Sequence, residues 1–291
     1  MISILTATYN RAHLLPRLYE SLLNQSDQNF EWIIVDDGST DNTQEVVSKF
    51  MMEGLFSIRS IYRHNGGKHR AINCSVKEAK GELCFIVDSD DILCGNAIEL
   101  IHNYWNTIPD HHLFAGVVGL KAYFDSRIIG SSSDKIPHIL DTDMLSYRTR
   151  YRVKGDRAEI FRTEVLKEYT FPEIEGEFFC PEALVWNRIS QKYKMRYFNE
   201  TIYLCEYLPD GLTAKIIKLR CENTVASLSY YKELSTYDIP LTEQLKAYIN
   251  YWRFAFSSKR DIGSLLKEIS PYSLFMFPFG YYMHLKDKYV S

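Results

Sequence analysis

The 291-residue sequence is short of several things that would have fixed its function quickly. No GxGxxG follows the first apolar run and no GxxxxGK[ST] occurs, so the common dinucleotide and P-loop phosphate cradles are excluded. There is no HExxH, and the eight histidines are dispersed. Six cysteines (74, 84, 94, 180, 205, 221) form no CxxC pair, which in a chain this long points to free, mostly buried thiols in a reducing compartment. Positive charge is not in surplus: the formal net charge is -3, so no general affinity for nucleic acid is expected. No run reaches the roughly 18 apolar residues a membrane-spanning helix needs. The opening stretch MISILTATYN is too short an apolar segment for a signal peptide, so a cytoplasmic protein, or one on the cytoplasmic face of a membrane, is expected.

What is present is a globular composition, 46% hydrophobic and 24% charged, with an aromatic share of 14% that rises toward the C-terminus. The first hundred residues alternate two periods. Strands are expected at Ile2–Thr8, Glu31–Asp36, Ile58–Arg63 and Leu83–Val87, and helices at Ala12–Asn24, from about Asn42, at Lys68–Ala79 and at Ala97–Trp105. Asp41, with Gln44 three residues on, reads as the cap of the second helix. This order implies βαβ units and a parallel sheet covered by helices on both faces. Farther on, Leu113–Phe124 and Ala158–Phe161 read as strands, 125–150 as an irregular surface loop with Ser131–Ser133 and three aspartates, and Pro181–Lys192, Lys215–Leu234, Leu241–Phe256 and 261–286 as helical.

Ligands of such sheets bind outside the carboxyl ends of the strands. Each polar cluster of the first half falls there: Tyr9-Asn10-Arg11, Asp36-Asp37-Gly38-Ser39, His64-Asn65-Gly66-Gly67-Lys68 and Asp88-Ser89-Asp90-Asp91. Three carboxylates within four residues repel one another. One could cap the following helix, but not all three. An EF-hand register fails, because Ile92 and Leu93 stand where an oxygen ligand and glycine are required. Asp88 and Asp90, two apart, point the same way if the chain stays extended. Hard oxygen ligands suit Mg²⁺ or Mn²⁺, and Mg²⁺ characteristically takes one or two carboxylates together with substrate phosphates. The residues therefore point to a phosphorylated ligand held through a metal ion, with Lys68 and Arg70 available to balance phosphate charge.

These segments, in order, resemble a family. TATYNRAHLLPRLYESLLNQ, EWIIVDDGSTDNT, HNGGKHRAIN, AKGE and DSDD, followed by GDRAEIFRTEVL (155–166), PEALVWNRI (181–189) and EYLPDGLT (206–213), are similar to the family 2 glycosyltransferases of the GT-A fold. The resemblance implies an α/β, Rossmann-like, mostly parallel sheet flanked by helices, with a GT-A catalytic domain over 1–213 (a nucleotide-sugar half, 1–112, and an acceptor half, 113–213) and a C-terminal helical, aromatic-rich extension over 214–291. It implies inverting transfer of a sugar from a nucleotide-diphospho-sugar, a UDP-sugar above others, to a glycan or lipid-linked acceptor, with Mn²⁺ or Mg²⁺. Carried over by position, base contacts fall on Thr8, Tyr9, Arg11 and Asp37, the ribose contact on Asp88, the metal ligand on Asp90 and an acceptor-side contact on Asp156. The family's catalytic base usually lies in a Glu-Asp pair; here that place reads Cys180-Pro181-Glu182, so the base is Glu182. Two rival readings are a nucleotidyltransferase, whose glycine-rich N-terminal signature is missing, and a non-catalytic donor-binding subunit.

Two further stretches stand out. Residues 148–157, RTRYRVKGDR, hold five basic side chains, as a solvated face or as a phosphate contact. Residues 271–288, PYSLFMFPFGYYMHLKDK, are aromatic and end in lysines, with three readings open: a membrane interface, packing on the chain's own core, or a homodimer contact.

Overall fold

The computed structural model describes residues 1–130, 137–208 and 211–290, without the side chains of 289–290. The serines of 131–133 with Asp134, and Pro209-Asp210 of the last resembling motif, lie outside the described residues. The chain falls into two compact units, one of residues 1–170 and 189–206, the other of 171–188 and 207–291.

The first unit begins with the expected alternation: β1 (Ile2–Thr8), α1 (Leu15–Leu23), β2 (Phe30–Asp36), α2 (Thr43–Glu53), β3 (Ser57–Tyr62), α3 (Lys68–Glu78) and β4 (Leu83–Ile86). These four strands are parallel, in the order β3-β2-β1-β4. β1 and β2 are almost wholly buried, as runs covered on both faces must be. A two-residue strand, β5 (Ile92–Leu93), and α4 (Ala97–Asn106) follow, then β6 (Phe114–Ala122), β7 (Ile139–Thr142), α5 (Met144–Thr149), β8 (Arg157–Arg162) and α6 (Thr163–Glu168). α7 (Glu182–Ser190) leads into β9 (Lys194–Leu204), which closes the sheet as its longest strand. Beyond β4 the sheet becomes mixed: β8 is antiparallel to both β4 and β6, β9 is parallel to β6, and β5 and β7 are antiparallel to β9. A large apolar cluster in this unit includes Trp32, Phe85, Trp105, Phe198 and Tyr203.

One buried polar group crosses that core region. Glu31 of β2 accepts hydrogen bonds from Ser3 Oγ (2.6 Å), the Lys80 amide (2.8 Å) and Arg59 (2.7 Å). Burial alone would raise its pKa; the three donors outweigh that and hold the carboxyl below its ordinary range.

Several expectations need correction. Residues 125–150 are not all loop, since β7 and α5 lie within them; Asp143 caps α5 by accepting from the Ser146 amide at 2.8 Å. β9 was not foreseen: Lys194, Arg196, Asn199 and Glu200 interrupt its apolar pattern, and Arg196, 8% exposed, is satisfied by Asp141 at 2.6 Å and Thr107 Oγ1 at 2.7 Å. The helix expected over 215–234 is two, α8 (Ile216–Glu222) and α9 (Thr224–Leu234). They are parted at Asn223, whose side-chain oxygen accepts from the amides of Phe178 and Phe179. Asp41 does accept from the Thr43 amide (3.1 Å), but the residue flanking α2 is Asn42, with no side-chain cap bond of its own.

The second unit is helical. Besides α7 to Arg188, α8 and α9, it holds α10 (Leu241–Ala255), α11 (Ile262–Leu266), a 3₁₀ segment (Pro271–Met276) and α12 (Phe277–Val290). Its core gathers Leu228, Tyr248, Tyr251, Trp252, Phe254 and Leu265. α12 lies against α10 at Gly280, where a β-carbon would stand 2.4 Å from that of Trp252. Arg253 grips Asp287 through two bonds of 2.6 Å. Among the described residues no helix is long and apolar enough to cross a membrane.

Candidate active site

The carboxyl ends of β1, β2, β3 and β4 meet along one rim of the first unit, and their loops brace one another. After β1 the chain turns through Asn10 at a left-handed φ of 52°. The Asn10 side-chain oxygen accepts from the Thr40 amide at 2.8 Å, and the Asn10 backbone N–H donates to Ser39 Oγ at 2.9 Å. Ala12 donates to Asp41 at 3.1 Å. The Tyr9-Asn10-Arg11 loop is thereby fastened to the loop after β2. Tyr9 presents a half-exposed ring (49%).

Asp37 organises the next loop. It is 3% exposed, and its carboxylate accepts from the amides of Gly66 (3.1 Å) and Gly67 (2.7 Å) and from Asn65 Nδ2 (3.3 Å), with Arg63 at 3.2 Å. Burial nonetheless pushes its pKa up, against the pull of these donors. Gly38 must be glycine: at φ 85° a β-carbon would meet the Asn65 amide at 2.7 Å. Beside Asp37, two buried oxygens at the paired ends of β1 and β2, Thr8 Oγ1 and Asp36 Oδ2, have no hydrogen-bond partner among the described residues. Buried polar atoms left this way cost about 1–3 kcal/mol each unless a water or ligand meets them.

Lys68 opens α3, where the helix dipole disfavours a cation. Its position is explained by Asp88, whose Oδ1 lies 2.6 Å from the ammonium. The acidic loop itself is a turn, not the extended continuation of β4 that the two-residue spacing implied. β4 stops at Ile86, and the Asp91 amide donates to the Asp88 carbonyl at 3.2 Å. The three carboxylates thus reach one neighbourhood by a turn, and their charges act on one another. Burial opposes the charged form of Asp88, but Lys68 and Lys121 together win and lower its pKa. Burial and then Asp88 raise those of Asp90 and Asp91. Arg11 pulls the other way on Asp90.

Two residues of this site were not singled out in the sequence. Tyr203, wholly buried at the carboxyl end of β9, accepts from the Asp88 amide at 3.0 Å and donates to Asp91 Oδ2 at 2.7 Å. The ammonium of Lys121, near the end of β6, stands 4.0 Å from the centre of the Tyr203 ring. Burial disfavours that charge, yet Asp88, Glu159 and Asp91 outweigh it and raise the lysine's pKa. The signal for both lay in recognising β9; with that strand in place, Tyr203 is the register partner of Lys121.

Asp156, exposed, precedes β8, which runs antiparallel to β4 and β6 and so starts at the same rim. Thr8, Tyr9, Arg11, Asp37, Lys68, Asp88, Asp90 and Asp156 therefore share one edge of one sheet. Glu182 lies in the second unit, half-buried at the first position of α7. The segment ahead of it is tied to α9: Glu177 accepts from the amides of Val225 (2.6 Å) and Ala226 (2.9 Å).

Among the described residues no three His, Cys, Asp or Glu side chains are grouped to hold a metal by themselves. Two or three crowded carboxylates with hard oxygens are a partial shell. They fit a Mg²⁺- or Mn²⁺-type ion that shares its ligands with a diphosphate.

Known proteins resemble this chain in sequence and in fold. The family model described as glycosyl transferase family 2 matches residues 3–169. Glycosyltransferase GlyG of Streptococcus pneumoniae is 43% identical over 103 residues, 35% of this chain and 34% of that protein. The poly(ribitol-phosphate) beta-N-acetylglucosaminyltransferase TarS of Staphylococcus aureus is 28% identical over 208 residues, 68% of this chain and 35% of that protein. The matched stretches thus span about a third of these curated relatives. The crystal structure of S. aureus TarS 1–349 with UDP has a TM-score of 0.66 at 19% identity, covering 98% of this chain and 87% of that one. Mannosyltransferase PcManGT from Pyrobaculum calidifontis, in complex with GDP-Man and Mn²⁺, has a TM-score of 0.58 at 16% identity, over 99% and 87% of the two chains. At such identities the likeness speaks for the fold, an α/β GT-A sheet flanked by helices. On sequence and architecture together, the chain belongs to glycosyl transferase family 2.

Proposed function

We propose that the protein is an inverting glycosyltransferase that moves a sugar from a UDP-sugar, or a similar nucleotide-diphospho-sugar, to a hydroxyl of a glycan or lipid-linked acceptor in surface polysaccharide synthesis. The observation that carries this reading is the Lys68–Asp88 pair at 2.6 Å, set among crowded carboxylates on the rim where four loops converge. The TarS structures solved with UDP and with UDP-GlcNAc support a nucleotide-sugar donor.

In this reading Thr8, Tyr9 and Arg11 flank the base. Asp37 shapes the 65–67 loop beside it and accepts the N–H of a pyrimidine. Asp88 accepts from the ribose, and Lys68 balances diphosphate charge. Asp90, with its neighbours, would hold Mn²⁺ or Mg²⁺; the bound ion would supply neutralisation of the charge on the leaving diphosphate. Glu182 takes the proton from the acceptor hydroxyl. The acceptor oxygen forms its bond to the anomeric carbon on the face opposite the nucleotide, while the bond from that carbon to the diphosphate oxygen breaks, so configuration inverts. Asp156 faces the acceptor. The catalytic part is residues 1–213, with 214–291 as a helical, aromatic-rich extension.

The experiment is a panel of nucleotide sugars with Mn²⁺, read first by thermal shift, because a ligand that binds the folded state raises its stability, and then by nucleotide release with and without candidate acceptors. A donor that stabilises the protein and is turned over supports the reading. Stabilisation with no nucleotide release under any condition would make the chain a donor-binding subunit instead.

A further inference from the structure

α12 and the 3₁₀ segment before it expose an unusual set of side chains. Tyr272, Leu274, Phe275, Phe279, Tyr281 and Tyr282 are between 47% and 73% exposed, all within eleven residues. Single exposed apolar residues are ordinary, but a contiguous group is not. The helix is apolar on two faces. One is used: Phe277 packs at 4.9 Å from the Trp252 ring, Gly280 lies on Trp252, His284 meets Ser257 at 3.3 Å, and Asp287 pairs with Arg253. The other holds residues 279, 282 and 286 of α12, the i, i+3, i+7 pattern of one helical stripe, with Phe275 of the 3₁₀ segment just ahead of it. It reads Phe275, Phe279, Tyr282 and Lys286, all exposed.

Charge distinguishes between coverings of this stripe. Lys286 and Lys288, at the end of the same helix, are exposed. The two acidic residues of 262–288 are already engaged, Asp287 by Arg253 and Glu268 by Arg260 and Lys232. A stripe of Phe and Tyr that ends in lysines is the composition of a helix lying in a membrane interface: the rings enter the headgroup boundary and the ammonium groups stay at the phosphates. A second copy of the same face would bring these lysines no free acidic partner, since the acidic residues of the segment are engaged.

We propose that the Phe275-Phe279-Tyr282-Lys286 stripe docks the protein on an anionic lipid surface. The proposal is independent of which sugar, or any sugar, is transferred. The test uses the full chain with sedimented vesicles of phosphatidylcholine alone and of phosphatidylcholine with phosphatidylglycerol, for wild type, a Phe275→Ser/Phe279→Ser/Tyr282→Ser variant and Lys286→Glu. UDP-sugar binding and sedimentation velocity are measured in parallel. Wild type is expected on the anionic vesicles, more weakly at high salt. The triple variant should lose binding by about tenfold or more and Lys286→Glu by a smaller factor, with UDP-sugar binding kept in both. Lys286→Glu changes only an exposed charge and so stands as the test should the triple variant fail to fold. The proposal is overturned if wild type ignores both vesicles, if a folded triple variant, or Lys286→Glu where the triple variant does not fold, binds anionic vesicles as well as wild type, or if wild type is a dimer that the substitutions dissociate without any vesicle binding.

Discussion

Tyr203 donates its phenolic hydrogen to Asp91 at 2.7 Å and, through the same oxygen, accepts the amide of Asp88 at 3.0 Å. One buried hydroxyl at the end of β9 thus pins both ends of the acidic turn. Asp91 is thereby held by a structural hydrogen bond, while Asp88 pairs with Lys68.

Replacing Tyr203 by Phe removes that pin without opening a cavity. A hydrogen bond to a charged group is worth about 1.5–3 kcal/mol. Thermal or denaturant unfolding should show a loss in that range, and donor binding measured by calorimetry should weaken with it. Unchanged donor affinity in a destabilised variant would restrict Tyr203 to a purely structural part.

Asp37→Ala should be more damaging to the donor pocket than to the sheet. It strips the Gly66 and Gly67 amides and Arg63 of their shared acceptor, so the 65–67 loop should loosen. Hydrogen exchange should show the Gly66 and Gly67 amides losing protection while those of β1 and β2 keep theirs, and UDP affinity should fall at least about tenfold, one such charged hydrogen bond or more.

Glu31 gives a pH signature. Its pKa is held below the ordinary 4.5 in the folded state, so ionised Glu31 contributes stability that is fully present above the unfolded value and is lost as pH falls through the folded one. Glu31→Gln should therefore be destabilising by about 1–3 kcal/mol at neutral pH. The gap to wild type in urea unfolding should shrink as the pH is lowered below about 4.5. A gap independent of pH would show that shape, not charge, matters there.

Glu182→Gln should reduce turnover by roughly 10²–10⁴ with donor affinity near that of wild type, the loss typical of a missing general base. Steady-state kinetics together with donor titration separate these two quantities. Near-normal turnover would move the base elsewhere.

Gly280→Ala places a β-carbon against Trp252 Cβ at 2.4 Å and Ile249 O at 2.8 Å, both on α10 and neither a flexible tip. Overpacking of this kind costs about 1–3 kcal/mol. Proteolysis should then begin in the C-terminal helices at a lower temperature than in wild type.

Much of the first half was readable in the sequence because its strands are buried on both faces: Ile33-Ile34-Val35 and Leu83–Ile86 leave little alternative, and aspartates and glycines mark where they stop. β9 was not readable, because its charges are buried by partners far off in sequence, as Arg196 is by Asp141 fifty-five residues away. With β9 hidden, Tyr203 and the role of Lys121 were hidden as well. The carboxylate cluster was visible; that a turn rather than an extended strand gathers it was not, since a two-residue spacing is equally compatible with both. Asn223 broke a helix for a tertiary reason, its bonds to Phe178 and Phe179, which no local pattern records.

The central claim is that the acidic turn after β4 receives a nucleotide's diphosphate through a divalent ion. Calorimetric titration of UDP into wild type and Asp90→Ala, each with Mn²⁺ and with chelator, tests it most directly. The account predicts strong binding only for wild type with Mn²⁺. Equal binding in all four titrations would contradict it.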